Sequence, residues 1–390
     1  MPKQSLKKRA DGRLSRQIFL GKDESGKRIY KTVYGRTNKE LQKNYEAVKL
    51  ELNKGLNVLS QNIKFEVFAK EYLSLKKSNV SFRYLKGIES SIKHLEPLYS
   101  LPIAQIKPTH LQKILIDLAT RENRPLARKT LADIKNNAKA IFQIAVNNRI
   151  IDFNPADATE IPKGTGKKKR ESITDAQIEW IKETQHNAQL SAMIMLYSGV
   201  RRGELLALTW SDINFDNKTI RINKAVEYRG NIPFVKPMTK TQAGMRLISV
   251  PDVLIEYLKT VERKSPIVCT LNGKMFTEGS WRRMWQSYMS VLNEKYGDFV
   301  ADKNLYKKDG ALKSRIAPGG LPLRIETFTP HQLRHTYASM LYKAGIDVLT
   351  AKDQLGHSDI KTTLNIYTHL DSVYKTRSMN KLNDYIASSF

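Results

Sequence analysis

Apolar residues recur at two different periods along the chain, and the changes of period mark its organisation. Arg13 to Leu20 and Arg28 to Tyr34 alternate as β-strands do, with the turn-rich Gly21-Lys22-Asp23-Glu24-Ser25-Gly26-Lys27 between them. A third short strand is expected before Arg13. Thr37-Asn38-Lys39-Glu40 is a capped helix start, and Gly55 stops that helix after about Asn53. Helical spacing then takes over. Phe65, Phe68, Ala69, Tyr72 and Leu75 define one apolar face, a second helix spans Phe82 to Leu95, and a third opens at Thr109-His110-Leu111-Gln112. A fourth covers Arg128 to Asn148, with Leu131, Ile134, Ala138, Ile141, Ile144 and Ala145 on one side, and ends at Asp152-Phe153-Asn154-Pro155.

Lys163-Gly164-Thr165-Gly166-Lys167-Lys168-Lys169-Arg170 has no periodicity and reads as a basic linker. Its Gly-x-Gly lacks the remaining spacing of a phosphate loop. Ser172-Ile173-Thr174-Asp175-Ala176 caps the first helix of a long segment reaching about residue 370. Within it, Thr219 to Glu227 and Arg246 to Val250 alternate like a β-hairpin, with Gly244 at the expected turn. Asp302 to Arg324 reads as an inserted loop, and Leu382, Tyr385 and Ile386 are the apolar positions of a last helix.

Length and charge narrow the classes. At 390 residues, two or three domains are expected, and 41% hydrophobic residues suffice for real cores. The formal charge of +28, from 66 Lys and Arg against 38 Asp and Glu, favours a polyanionic partner, nucleic acid first. An anionic membrane would require a long apolar span or a basic amphipathic anchor, and no run of about 18 apolar residues exists. The basic start lacks the apolar stretch of a secretory signal, and the single cysteine, Cys269, forms no internal disulfide, so a cytoplasmic setting is expected.

Candidate chemistry gathers late in the chain. Thr329 to Leu370 holds His331, Arg334, His357 and Tyr367, while Arg201 stands upstream in Ser198-Gly199-Val200-Arg201-Arg202-Gly203-Glu204 and Lys240 in Thr239-Lys240-Thr241-Gln242-Ala243-Gly244. Guanidinium groups stay charged and grip two phosphate oxygens at once. A tyrosine hydroxyl is a possible nucleophile, and a lysine ammonium can protonate a leaving alkoxide. His331 and Arg334 share a helix face. His331 and His335 form HxxxH, but Gln332 stands where a zinc protease carries Glu and no third-ligand pattern appears, so no metal site is read here.

The order GxRxxE, lysine, HxxR and LGHxxxxxTxxxY resembles the tyrosine recombinase, or phage integrase, family over about half the chain. The resemblance implies a multidomain α+β fold. Its parts are an arm-site DNA-binding domain of three strands and a helix over 1–58, a helical core-binding domain over 63–160, a basic linker over 161–172, and a mainly α catalytic domain with a small β-hairpin sheet over 173–390. The first module is also basic: 15 Lys and Arg against 6 Asp and Glu over residues 1–60, a net of +9. A solvated basic tail is the competing reading of that segment.

By the same resemblance, Tyr367 is the nucleophile, Arg201 and Arg334 hold the phosphate, Lys240 is the general acid, His331 relays the tyrosine proton, and His357 donates to a non-bridging oxygen. Arg202 is passed over because the family arginine lies two residues after the glycine. Lys236 and Tyr374 are the rivals of Lys240 and Tyr367, Glu204 orients rather than reacts, and His335 is structural. The implied activity is site-specific recombination through a 3′-phosphotyrosyl link that integrates and excises a mobile element. It needs no cofactor, and it acts as a homotetramer on double-stranded core and arm sites with an accessory excision factor. A catalytically silent DNA-binding relative and a type IB topoisomerase are the alternatives.

Overall fold

The computed structural model describes residues 7–8, 10–22, 27–57, 60–165, 172–238, 245–299, 305, 321–367 and 386–387. The chain divides into two compact units, Met1–Lys168 and Lys169–Phe390.

The first unit opens with β1 (Lys7–Lys8), β2 (Leu14–Lys22) and β3 (Arg28–Gly35), an antiparallel sheet in the order β1-β2-β3. Helix α1 (Asn38–Asn53) follows, with the Thr37 hydroxyl accepting from the Glu40 amide at 3.2 Å and Glu40 accepting in turn from the Arg36 amide at 2.8 Å. Because successive strand residues point to opposite faces, Ile18 and Val33 bury themselves with Leu41 of α1. Phe19 and Tyr30, paired across the strands with ring centroids 5.6 Å apart, stay exposed on the other face.

The helices α2 (Phe65–Lys77), α3 (Phe82–Lys93), α4 (Pro108–Thr120) and α5 (Arg128–Asn147) enclose a separate core. Phe65, Phe68, Ala69 and Tyr72 are buried as the periodicity predicts, but Leu75 is 56% exposed, because it lies in the final turn of α2, beyond the packed face. On α5, Phe142 joins the core while Ile144 is only partly buried. Asn154 opens the turn that follows this helix: its amide donates to the Lys139 carbonyl at 2.9 Å and its oxygen accepts from the Ala156 amide at 3.1 Å.

The second unit begins at α6 (Asp175–Glu183), capped reciprocally by Thr174 and Gln177. It continues through α7 (Gln189–Ser198) and α8 (Arg202–Ala207) into β4 (Ile213–Asn214), β5 (Thr219–Ile222), β6 (Lys224–Arg229), β7 (Ile232–Pro237) and β8 (Arg246–Ser249). Then come α9 (Asp252–Thr260), α10 (Glu278–Tyr296), α11 (Pro330–Lys343), α12 (Val348–Leu355) and α13 (Ile360–Tyr367). Helix α7 is the centre of the core, apolar nearly all round, as a helix enclosed on every side must be. Trp281, Trp285 and Tyr288 of α10 pack into the same core.

The expected hairpin is rearranged. β5 pairs with β8 in register Ile220↔Ile248, giving a sheet of order β4-β5-β8, while β6 and β7 form a second hairpin across Gly230-Asn231. The continuous alternation from Thr219 to Glu227 hid the break between β5 and β6. The segment with Lys240 and Gly244, most of the 302–324 stretch, Tyr374, and the tail positions Leu382 and Tyr385 lie outside the described residues.

Candidate active site

Two helix endings build the site. Helix α12 stops at Gly356, whose φ of +65° suits glycine. The Gly356 amide donates to the Asp353 carbonyl and the His357 amide to the Lys352 carbonyl, both at 3.1 Å, a Schellman turn. That leaves the carbonyls of Gln354, Leu355 and Gly356 at the negative end of the helix dipole. Each takes an arginine. Arg246 Nε donates to Gln354 at 3.0 Å, Arg334 Nη2 to Leu355 at 2.6 Å, and Arg201 Nη2 to Gly356.

The second ending is that of α7 at Gly199, where φ is +64° and an added Cβ would stand 2.4 Å from Tyr337 Cδ1. Its carbonyl accepts from Arg334 Nη1 at 2.6 Å, so one guanidinium joins the turn preceding Arg201 to the turn preceding His357. Arg334 itself is 4% exposed. Burial, then the positive charges of Arg201 and Arg246, pull its guanidinium down to about 9, with Glu204 opposing.

Glu204, 2% exposed, is the counter-ion. Its carboxylate accepts from the Arg201 amide at 2.8 Å and Arg201 Nη1 at 2.8 Å, and from Arg246 Nη1 at 3.1 Å and Nη2 at 2.8 Å. Burial alone would raise this carboxyl, but Arg246 and then Arg201 outweigh it and hold the group below its ordinary value. The Arg201 and Arg246 guanidinium groups therefore share one carboxylate. With Arg334 beside them and Arg201 partly open to solvent, this concentration of positive charge suits a phosphate.

His357 follows directly on the α12 turn and its Nδ1 lies 2.9 Å from the Thr363 hydroxyl. Burial, then Arg334 and Arg201, lower its imidazole to about 4, so it is neutral at pH 7. His331 and Arg334 both lie on α11, His331 exposed near its start with its ring edge-on to His335 at 4.8 Å. Tyr367 is the last residue of α13, the helix that carries Thr363. Lys240 falls outside the described residues. Its rival Lys236 is engaged by Glu227 at 3.2 Å on the β6–β7 hairpin. Arg202 turns to Glu278, 3.8 Å away, and the Tyr228 ring.

The structure thus brings Arg201, Arg334 and His357 together around one turn, with Glu204 beneath them. Arg246 is the residue that sequence reasoning missed. Its only signal was an arginine at an inward strand position, indistinguishable there from a solvated one. Among the described residues no group of three His, Cys, Asp or Glu side chains is placed to hold a metal, and no helix is long and apolar enough to cross a membrane.

Residues 165–373 match the model of the phage integrase family, and residues 65–161 that of the phage integrase central domain. The chain belongs to the phage integrase family. A tyrosine recombinase XerC-like protein of Caldanaerobacter subterraneus subsp. tengcongensis is 29% identical over 94% of this chain and 95% of its own length. The ICEBs1 integrase of Bacillus subtilis is 24% identical over 98% and 100%. Among solved structures, the Tn1549 transposon integrase in complex with transposon right end DNA superposes with a TM-score of 0.64 at 22% identity, covering 82% of this chain and 100% of that one. This integrase-family chain is a site-specific tyrosine recombinase of the class that integrates mobile elements.

Proposed function

We propose that Tyr367 opens the scissile phosphodiester of a double-stranded core site. Its Oη forms a bond to phosphorus, the bond from phosphorus to the 5′ oxygen breaks, and Lys240 gives that oxygen its proton. The products are a 3′-phosphotyrosyl link and a free 5′-hydroxyl, and attack by a partner strand's 5′-hydroxyl reverses the step. Arg201 and Arg334 offset the charge that grows on the non-bridging oxygens, the largest demand of phosphoryl transfer. Neutral His357 donates a hydrogen bond to one of them, and His331 takes up the tyrosine proton.

The observation that carries this reading is the convergence of Arg201, Arg334 and His357 on the α12 turn, with the buried Glu204 carboxylate shared by Arg201 and Arg246. Turns made by Gly199 and Gly356 hold the cations before any phosphate arrives, so little reorganisation remains for the reaction. The basic sheet and helix at the N-terminus bind separate arm sites. Four copies act on two paired core sites, and an accessory factor directs excision.

The test is a nicked suicide substrate, from which the cleaved end diffuses away. The wild-type protein is expected to accumulate a covalent protein–DNA band. Tyr367→Phe is expected to bind the same DNA and give none. A covalent band from Tyr367→Phe would overturn the assignment of the nucleophile.

A further inference from the structure

The Arg246 side chain is 8% exposed, on a strand whose neighbours alternate outward. Its guanidinium makes contacts in three directions. Two nitrogens fork onto both oxygens of Glu204, at 3.1 and 2.8 Å, and the third donates to the Gln354 carbonyl at 3.0 Å. The same plane lies against the α carbon of Gly356: a Cβ built there would sit 2.8 Å from Nη1 and 2.9 Å from Cζ. The glycine before His357 is therefore required twice, once by its positive φ and once by the arginine that fills the space beside it.

We propose that Arg246 is a positioning residue for the phosphate-binding cations. It acts through two other residues. Through Glu204 it fixes the carboxylate that orients Arg201, and through Gln354 and Gly356 it fixes the turn that carries His357. The inference deepens the recombinase reading and rests on it.

A lysine at this position keeps a positive charge but offers no planar fork, so it cannot serve Glu204 and Gln354 together. A misplacement of about 1 Å at the reacting phosphate costs on the order of 10²-fold in rate. Arg246→Lys is therefore expected to cleave a phosphodiester suicide substrate roughly 10²-fold more slowly than wild type, with core-site affinity retained and a lowered melting temperature from the buried acceptor left unpaired. The discriminating readout is a second substrate with a neutral methylphosphonate at the scissile position. It needs less help from the guanidinium groups, so the loss there is expected to be clearly smaller.

Equal losses on the two substrates would overturn the proposal, since a protein merely less well folded loses both alike. A wild-type rate on the phosphodiester would overturn it as well. Should Arg246→Lys fail to fold, the double variant Glu204→Gln with Arg246→Gln removes both buried charges together, and the same comparison decides. Failure of the recombinase reading is separable: the wild-type protein would then form no covalent adduct on either substrate.

Discussion

Glu204→Gln is the perturbation that tests most directly how the cation cluster is held. The carboxylate is 2% exposed and meets Arg201 and Arg246 at 2.8 Å each. At an effective dielectric of about 20, a pair of charges with centres about 4 Å apart gains roughly 4 kcal/mol. Desolvation of each ion costs several kcal/mol in return, so the intact cluster contributes little net stability. Removing one member is different. The amide withdraws the buried carboxylate that Arg201 and Arg246 both contact and turns an NH2 group toward a guanidinium, a change that costs about 3–5 kcal/mol.

Spread over the Lys169–Phe390 unit, that loss lowers its melting temperature by roughly 10 °C, at about 2–4 °C per kcal/mol for a unit this size. Scanning calorimetry of the two proteins at pH 7 measures it. The pH dependence supplies a sign. Because the folded carboxyl lies below its ordinary value, its contribution is fully present above that ordinary value and is lost as pH falls through the depressed one. The gap between wild type and Glu204→Gln is therefore flat at neutral pH and narrows in acid. A variant melting within about 2 °C of wild type at pH 7, less than 1 kcal/mol for this size, would refute the reasoning.

Arg334→Lys keeps a charge but reaches only one of the Gly199 and Leu355 carbonyls, leaving the other buried and unpaired. It is expected to cost about 1–3 kcal/mol of stability in thermal melts and about 2–4 kcal/mol of barrier in single-turnover cleavage. Gly199→Ala forces a Cβ to within 2.4 Å of a buried tyrosine ring at a φ of +64° and is expected to lose more than about 2 kcal/mol in the same melts. Deletion of residues 1–58 is expected to leave cleavage of a short core substrate nearly intact while reducing integration between full attachment sites and the steep salt dependence of binding. Identical footprints and integration yields with and without the segment would make it a basic tail only.

Most local structure and the inventory of reactive groups were legible in the order of the amino acids. Helical periodicity placed α2 to α5, because a 3.6-residue repeat has one way to bury its apolar stripe. The cap at Thr174 and the alternation in β2 and β3 were legible for the same local reason. The order of the arginine, lysine, histidine and tyrosine motifs was enough to suggest the family. Strand partners were less legible: Thr219 to Glu227 alternates without interruption, and only pairing with β8 on one side and β7 on the other divides it.

Tertiary structure alone decided how the cations are held. Arg201, Arg246 and Arg334 converge on three successive main-chain carbonyls, and a carbonyl is the same at every residue, so no side-chain pattern announces it as a partner. Arg246 reads in sequence as one more basic residue in a basic chain. It becomes a buried counter-ion only because α8, β8 and the end of α12 meet there. The glycines bridge the two levels. Their positions are visible in GVR and LGH, but the physical need for them, a left-handed turn with a tyrosine ring or a guanidinium pressed against it, exists only once the helices are packed.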